Sequence, residues 1–149
     1  MTHDQNDERR SESVSRILAA VDGSDASARA ADLAADMARS LQAELTLLHV
    51  IEIEELPTLI GETEDTRAEE EAQIILGSVS KRVLSRGVRA KIAVRRGHAA
   101  GQILRFASSY KPQLIVLGTR GVTGAKGVLL GSVSMAVSRK ARCSVLLVR

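Results

Sequence analysis

Apolar positions along the chain change their spacing in a regular alternation. Short continuous or every-second-residue runs, which suit buried strands, give way to spacings of three and four, which suit helices lying on a core. The first run covers residues 16–22, "RILAAVD"; the helical spacing after it puts Ala30, Leu33, Met37 and Leu41 on one stripe, with Ser24 as N-cap and Asp25 as first-turn acid. A second run, residues 43–50, leads into "IEIEELPTLIGETEDT", which has six acids, no base, and Pro57 and Gly61 as breakers. That predicts a long loop. A second helix is predicted over 67–86, with Ala72, Ile75, Val79 and Val83 inward and Gly87 closing it. Residues 88–97 alternate apolar and basic, as a strand at a sheet edge would. A third helix (99–110) turns Ala100, Ile103, Leu104 and Ala107 inward; "PQLIVLG" is the most apolar run and so a central strand, "SVSMAVSRKA" a fourth helix, and "CSVLLVR" a last strand.

The order is βαβαβαβαβ. It predicts an α/β fold with helices on both faces of an open five-stranded parallel sheet, joined by right-handed crossovers. If the first three strands are laid outward and the fourth returns beside the first, the order is 3-2-1-4-5. Residues 1–13 are polar and aperiodic and are expected to form a disordered tail, leaving 14–149 as one domain.

Composition narrows the partners. With one Phe, one Tyr and no Trp, the core must be aliphatic, and the stacking platforms that hold single-stranded nucleic acid are missing. The 21 basic residues exceed the 18 acidic ones only slightly and form no run of five, which fits a mixed-charge surface rather than a nucleic-acid face. The lone Cys143 suits a reducing compartment, and no stretch approaches the length of a membrane span. A soluble cytoplasmic protein with no nucleic-acid or membrane partner is expected.

In open parallel sheets, ligands bind beyond the carboxyl ends of the strands, where the strand order reverses. The residues at those ends are Asp22, then Val50 and Ile51, then Gly97 and His98, then Gly118 onward. Only the first and last combine polar chemistry with glycine, in "DGSD" and "GTRGVTGAKG". In the order 3-2-1-4-5 these two loops meet. Gly118, Gly121 and Gly131 lead into Ser132, Val133 and Ser134 at a helix start, where free N–H groups hold anions, phosphate above all. Arg120 and Lys126 add positive charge. Neither G-x-x-x-x-G-K-[ST] nor G-x-G-x-x-G is present; the spacing is G-x-x-G, nine residues, then G-S. On these residues alone, a flexible glycine-rich connection with Ser132 as an ordinary cap is an equal alternative, and Asp22 can also be read as a turn residue.

From "RILAAVDGSDASARA" through "LTLLHV" and "GTRGVTGAKGVLLGSVS" to "CSVLLVR", the chain resembles the universal stress proteins, and the G-x-x-G-x9-G-[ST] spacing resembles their ATP-binding branch. The resemblance implies a Rossmann-like, adenine nucleotide alpha hydrolase-like fold, ATP as ligand with or without Mg2+, and a homodimer through the last strand, residues 144–148. It assigns Val21 and Asp22 to the nucleoside, the Val50 main chain to the adenine edge, and Leu117 and Gly118 to base and ribose. Arg120 and Gly121 would approach the phosphates, and Gly131, Ser132, Val133 and Ser134 would close around them. Ser144 stands where the family usually has proline.

No catalytic set stands out, and no metal-ligating cluster is expected. His3 lies in the tail, His49 reads as a packed core histidine, His98 fits a helix start as well as a ligand contact, and Cys143 reads as inert. The expectation is a nucleotide-dependent stress-response switch or regulator. The competing readings are a slow ATPase or autokinase, because phosphoryl transfer rests chiefly on positioning, and a nucleotide-free, chaperone-like dimer.

Overall fold

The computed structural model describes residues 13–53, 62–120 and 130–149, the side chains of 62–64 excepted. The elements run β1 (Arg16–Ala20), α1 (Asp25–Leu41), β2 (Glu44–Ile51), α2 (Glu62–Leu84), β3 (Lys91–Arg96), α3 (Ala99–Tyr110), β4 (Leu114–Gly118), α4 (Ser132–Lys140) and β5 (Ser144–Val148). All strand pairs are parallel and the sheet order is β3-β2-β1-β4-β5, as topology rules predict. β1 is the middle strand, Ile17 facing Leu45 on one side and Leu114 on the other. The apolar β4 is interior beside it, and the half-wet β3 is an edge.

Strand alternation divides the core in two. Ile17, Ala19, Leu45, Leu47 and Val116 pack with α1 and α2, while Leu18, Leu48, Ile115 and Leu117 pack with α3 and α4. Among the described residues, no helix is long and apolar enough to cross a membrane.

Helix α1 corrects the predicted stripe. Its buried face is Ala26, Ala30, Ala31, Ala34, Ala35 and Ala38, whereas Leu33 and Leu41 are 39% and 48% exposed. The cause is proximity. A Cβ at Gly118, the last residue of β4, would lie 2.8 Å from the Ala26 carbonyl carbon, so the helix rests on the sheet at a distance that admits methyl groups and little more. The same helix is joined to α2 by charge: Asp32 accepts from Arg82 Nε and Nη2, both at 2.6 Å, and lies 3.3 Å from Arg86 Nε, while Arg86 Nη1 reaches Asp36 at 2.7 Å. The Arg82 hydrogen bonds hold the Asp32 carboxyl below its ordinary range, against the opposing effect of burial.

Helix α2 begins at Glu62, inside the stretch predicted as loop, and ends at Leu84, short of the predicted 86. Acids at Glu62, Glu64 and Asp65 suit a helix N-terminus. Arg96 at the end of β3 secures this start, pairing with Asp65 at 2.7 Å and with Glu69. Ala72, Val79 and Val83 are buried as expected, but Leu76 is buried and Ile75 only half so. Gly87 leaves the helix at φ +85°.

Candidate functional site

The chain leaves β1 through a tight, internally bonded turn. Asp22 Oδ1 accepts the Ser24 N–H at 2.9 Å and the Ser24 hydroxyl at 2.5 Å. Ser24 Oγ in turn accepts the Ser27 N–H at 3.2 Å, which caps α1 as predicted. Ser27 Oγ donates to Ser24 O and accepts the Asp22 N–H, at 3.0 and 3.2 Å. Between them, Gly23 takes φ +87°, a conformation that side chains disfavour. Asp22 is therefore a turn residue through Oδ1, with Oδ2 left without a hydrogen bond among the described residues.

Neighbouring β4 ends differently. Gly118 O accepts the Ser134 hydroxyl at 2.6 Å, Thr119 N–H donates to Val148 O at 2.8 Å, and Gly131 N–H donates to Thr119 O at 2.6 Å. Arg29 Nε donates to Arg149 O, so α1, β4, α4 and the end of β5 meet in one bonded corner. Gly131 is the N-cap of α4, and among the described residues no side chain caps that helix start. Its φ of −69° is open to any residue, so backbone conformation is not the reason for glycine. What glycine does there is leave the amides of Ser132, Val133 and Ser134 without a competing carboxylate or hydroxyl.

The third wall comes from β2. Ile51 O accepts from Gly97, on the β3 side, so Val50, one residue earlier, turns its own N–H and C=O toward β1. There the last rung is Val21 N–H to Leu48 O at 2.9 Å, and the Val50 peptide has no hydrogen-bond partner among the described residues.

These pieces enclose a cavity of about 320 Å³. Val21, Asp22, Val50, Leu117, Gly118, Arg120, Gly131, Ser132, Val133 and Ser134 all line it, which brings together every predicted site residue except Gly121; Gly121 and Lys126 lie outside the described residues. Ala20, Ser27, Leu48, Glu52, Ala99 and Ile103 complete the wall and were not predicted. Period-two alternation was the available signal for three of them, since Ala20 precedes Asp22, and Leu48 and Glu52 flank Val50, by two positions each. The cavity is polarised. Val50 and Glu52 stand at the β2 side, Ala20, Leu48, Ile103 and Leu117 form an apolar floor, and Arg120 with the open amides of α4 stands at the β4 side. Arg120 is the only cation among the described lining residues.

The other candidates fall elsewhere. His49 is 9% exposed and its Nδ1–H donates to Val21 O at 2.8 Å. His98 is the N-cap of α3 without a side-chain cap bond and does not line the cavity. Cys143 precedes β5 at the opposite end of the sheet, its thiol pushed up by burial. Among the described residues, no three His, Cys, Asp or Glu side chains gather to hold a metal ion.

The sequence model of the universal stress protein family matches residues 13–149. The chain belongs to this family. Among curated universal stress proteins, YxiE of Bacillus subtilis is 36% identical over 145 residues, covering 90% of this chain and 98% of its own. The universal stress protein UspA from Lactobacillus plantarum superposes with a TM-score of 0.77 at 26% identity, over 91% of this chain and 98% of that one. A universal stress protein from Archaeoglobus fulgidus, solved in complex with dAMP, superposes with a TM-score of 0.66 at 24% identity, over 91% and 98% of the two chains; that likeness speaks to fold.

Proposed function

We propose that this universal stress protein binds ATP in the cavity and acts as a nucleotide-dependent switch in a stress response. The observation that carries the reading is the pairing, across an apolar floor, of two backbone sites that are unsatisfied among the described residues. At one end stand three uncapped amides and Arg120, suited to phosphate; at the other stands the Val50 peptide, a donor and an acceptor side by side, suited to the edge of a base. The floor of Ala20, Leu48, Ile103 and Leu117 suits the flat faces of a purine. Asp22, its Oδ1 held by Ser24, keeps Oδ2 as an acceptor for a ribose hydroxyl or for Mg2+ carried by the phosphates. A protein of the same fold has been solved with dAMP, so an adenine nucleotide lies within the reach of this architecture. The reading extends to a homodimer through β5, an edge strand whose Val145, Leu146, Leu147 and Val148 are each only partly covered.

The test is calorimetric titration of the purified protein with ATP, with sedimentation of the same sample and identification of any nucleotide released on denaturation. ATP binding at or below about 1 mM, near −4 kcal/mol, is expected, with a dimer in sedimentation. No adenine nucleotide released and no heat at millimolar ATP would overturn the binding reading, and a monomer at all concentrations would overturn the dimer.

A further inference from the structure

Buried His49 does not line the cavity, and among the described residues its one polar contact falls at a decisive place. In a parallel pair, a residue that donates its N–H to one partner accepts, through its own C=O, the N–H two positions further along. Val21 donates to Leu48 O at 2.9 Å, so the next rung would run from Val50 N–H to Val21 O. It is not formed. The Val21 carbonyl instead accepts His49 Nδ1–H at 2.8 Å, and the chain turns away through Asp22.

We propose that His49 is a positioning residue: by occupying the Val21 carbonyl, it stops the β1–β2 ladder one rung short and keeps the Val50 peptide free for the base edge of the ligand. The proposal rests on the nucleotide reading above. Its logic is that a buried carbonyl requires a donor. Without the imidazole, the donor that ladder geometry directs at Val21 O is Val50 N–H, and satisfying Val21 from there closes the fork and consumes the group that would meet the base. Asparagine at 49 offers a side-chain N–H at the position of Nδ1, whereas leucine offers none.

The test compares wild type, His49→Leu and His49→Asn for binding of ATP, of ITP, which has an oxo group where adenine has its amino group, and of tripolyphosphate. His49→Leu is expected to weaken ATP about tenfold and to narrow the preference for ATP over ITP, with tripolyphosphate within about twofold of wild type; His49→Asn is expected to recover most of the loss. Unchanged ATP affinity in His49→Leu, or equal loss of ATP and tripolyphosphate, overturns the proposal. Should His49→Leu fail to fold, amide hydrogen exchange on the nucleotide-free wild type decides the matter. The Val50 amide is expected to exchange faster than that of Ile51 and to become protected when ATP is added; protection before ATP is added overturns the proposal. A wild type that binds no ATP, with an exposed Val50 amide, sinks the nucleotide reading while leaving the open fork standing.

Discussion

Helices α1 and α4 start behind neighbouring strands, at the same end of the sheet, yet their first turns are finished in opposite ways. The start of α1 is closed from within: Ser24 takes the Ser27 amide, Asp22 takes Ser24, and Ser27 returns a bond to the loop. The start of α4 has glycine at the cap and three amides with no side chain set against them among the described residues. Both helices carry the same kind of dipole, so the dipole does not choose the site. What chooses it is the missing cap. An anion competes with a built-in carboxylate or hydroxyl at α1 and with no side chain of the described residues at α4.

The largest expected effect attacks the closeness on which the comparison depends. Gly118→Val drives a side chain into the backbone of Ala26 and Ser27, 2.8 and 2.9 Å from its Cβ, and is expected to destabilise the fold by about 3 kcal/mol in a urea melt. Exchanging the two caps tests the comparison itself. Gly131→Asp gives α4 its own carboxylate, and is expected to weaken ATP binding about tenfold while raising stability by about 0.3 kcal/mol; Ser24→Ala opens α1 and costs about 1 kcal/mol, read in the same melts. Unaltered ATP affinity in Gly131→Asp would break the argument.

The smallest effect concerns how firmly α1 is held. Asp32→Asn removes the charge that binds α1 to α2 and is expected to cost about 1 kcal/mol at neutral pH, at the low end for such a pair because Arg82 is half exposed. Because Arg82 lowers the Asp32 pKa in the folded protein, this contribution is fully present above about pH 4, the ordinary carboxylate value, and fades as pH falls through the lowered one. Melts of wild type and variant should therefore differ by a constant amount from pH 7 down to about 4 and converge below it.

How much of this was legible in the sequence follows from which interactions set each feature. The parallel sheet follows from alternation and crossover handedness, while the strand order and the meeting of the first and fourth loops needed the added supposition that the fourth strand returns beside the first. The α1 pattern points Leu33 and Leu41 inward because hydrophobicity favours leucine, while the apolar part of the buried face is built from alanines; nothing in the helix reports how close its neighbour lies. Acids and breakers before Arg67 read as loop, yet acids at Glu62, Glu64 and Asp65 equally favour a helix N-terminus, and Arg96 supplies a partner from 31 positions beyond Asp65. At the candidate site, residues at strand ends could be found by position. Ser27 could not, because its part depends on the turn geometry of Asp22–Gly23–Ser24, nor could the hydrogen bond of His49, which joins a β2 side chain to the carbonyl of Val21, just past the end of β1.

The bond from Gly131 N–H to Thr119 O closes the chain on itself, and Thr119 is fastened in turn to Val148. Whatever runs between those two residues leaves and returns at one fixed point on the sheet. Doubling the length of a loop closed in this way adds only about 0.6 kcal/mol of closure entropy. A change of chain length between Arg120 and Gly131 is therefore expected to cost little in closure entropy, which urea melts of a lengthened chain would read.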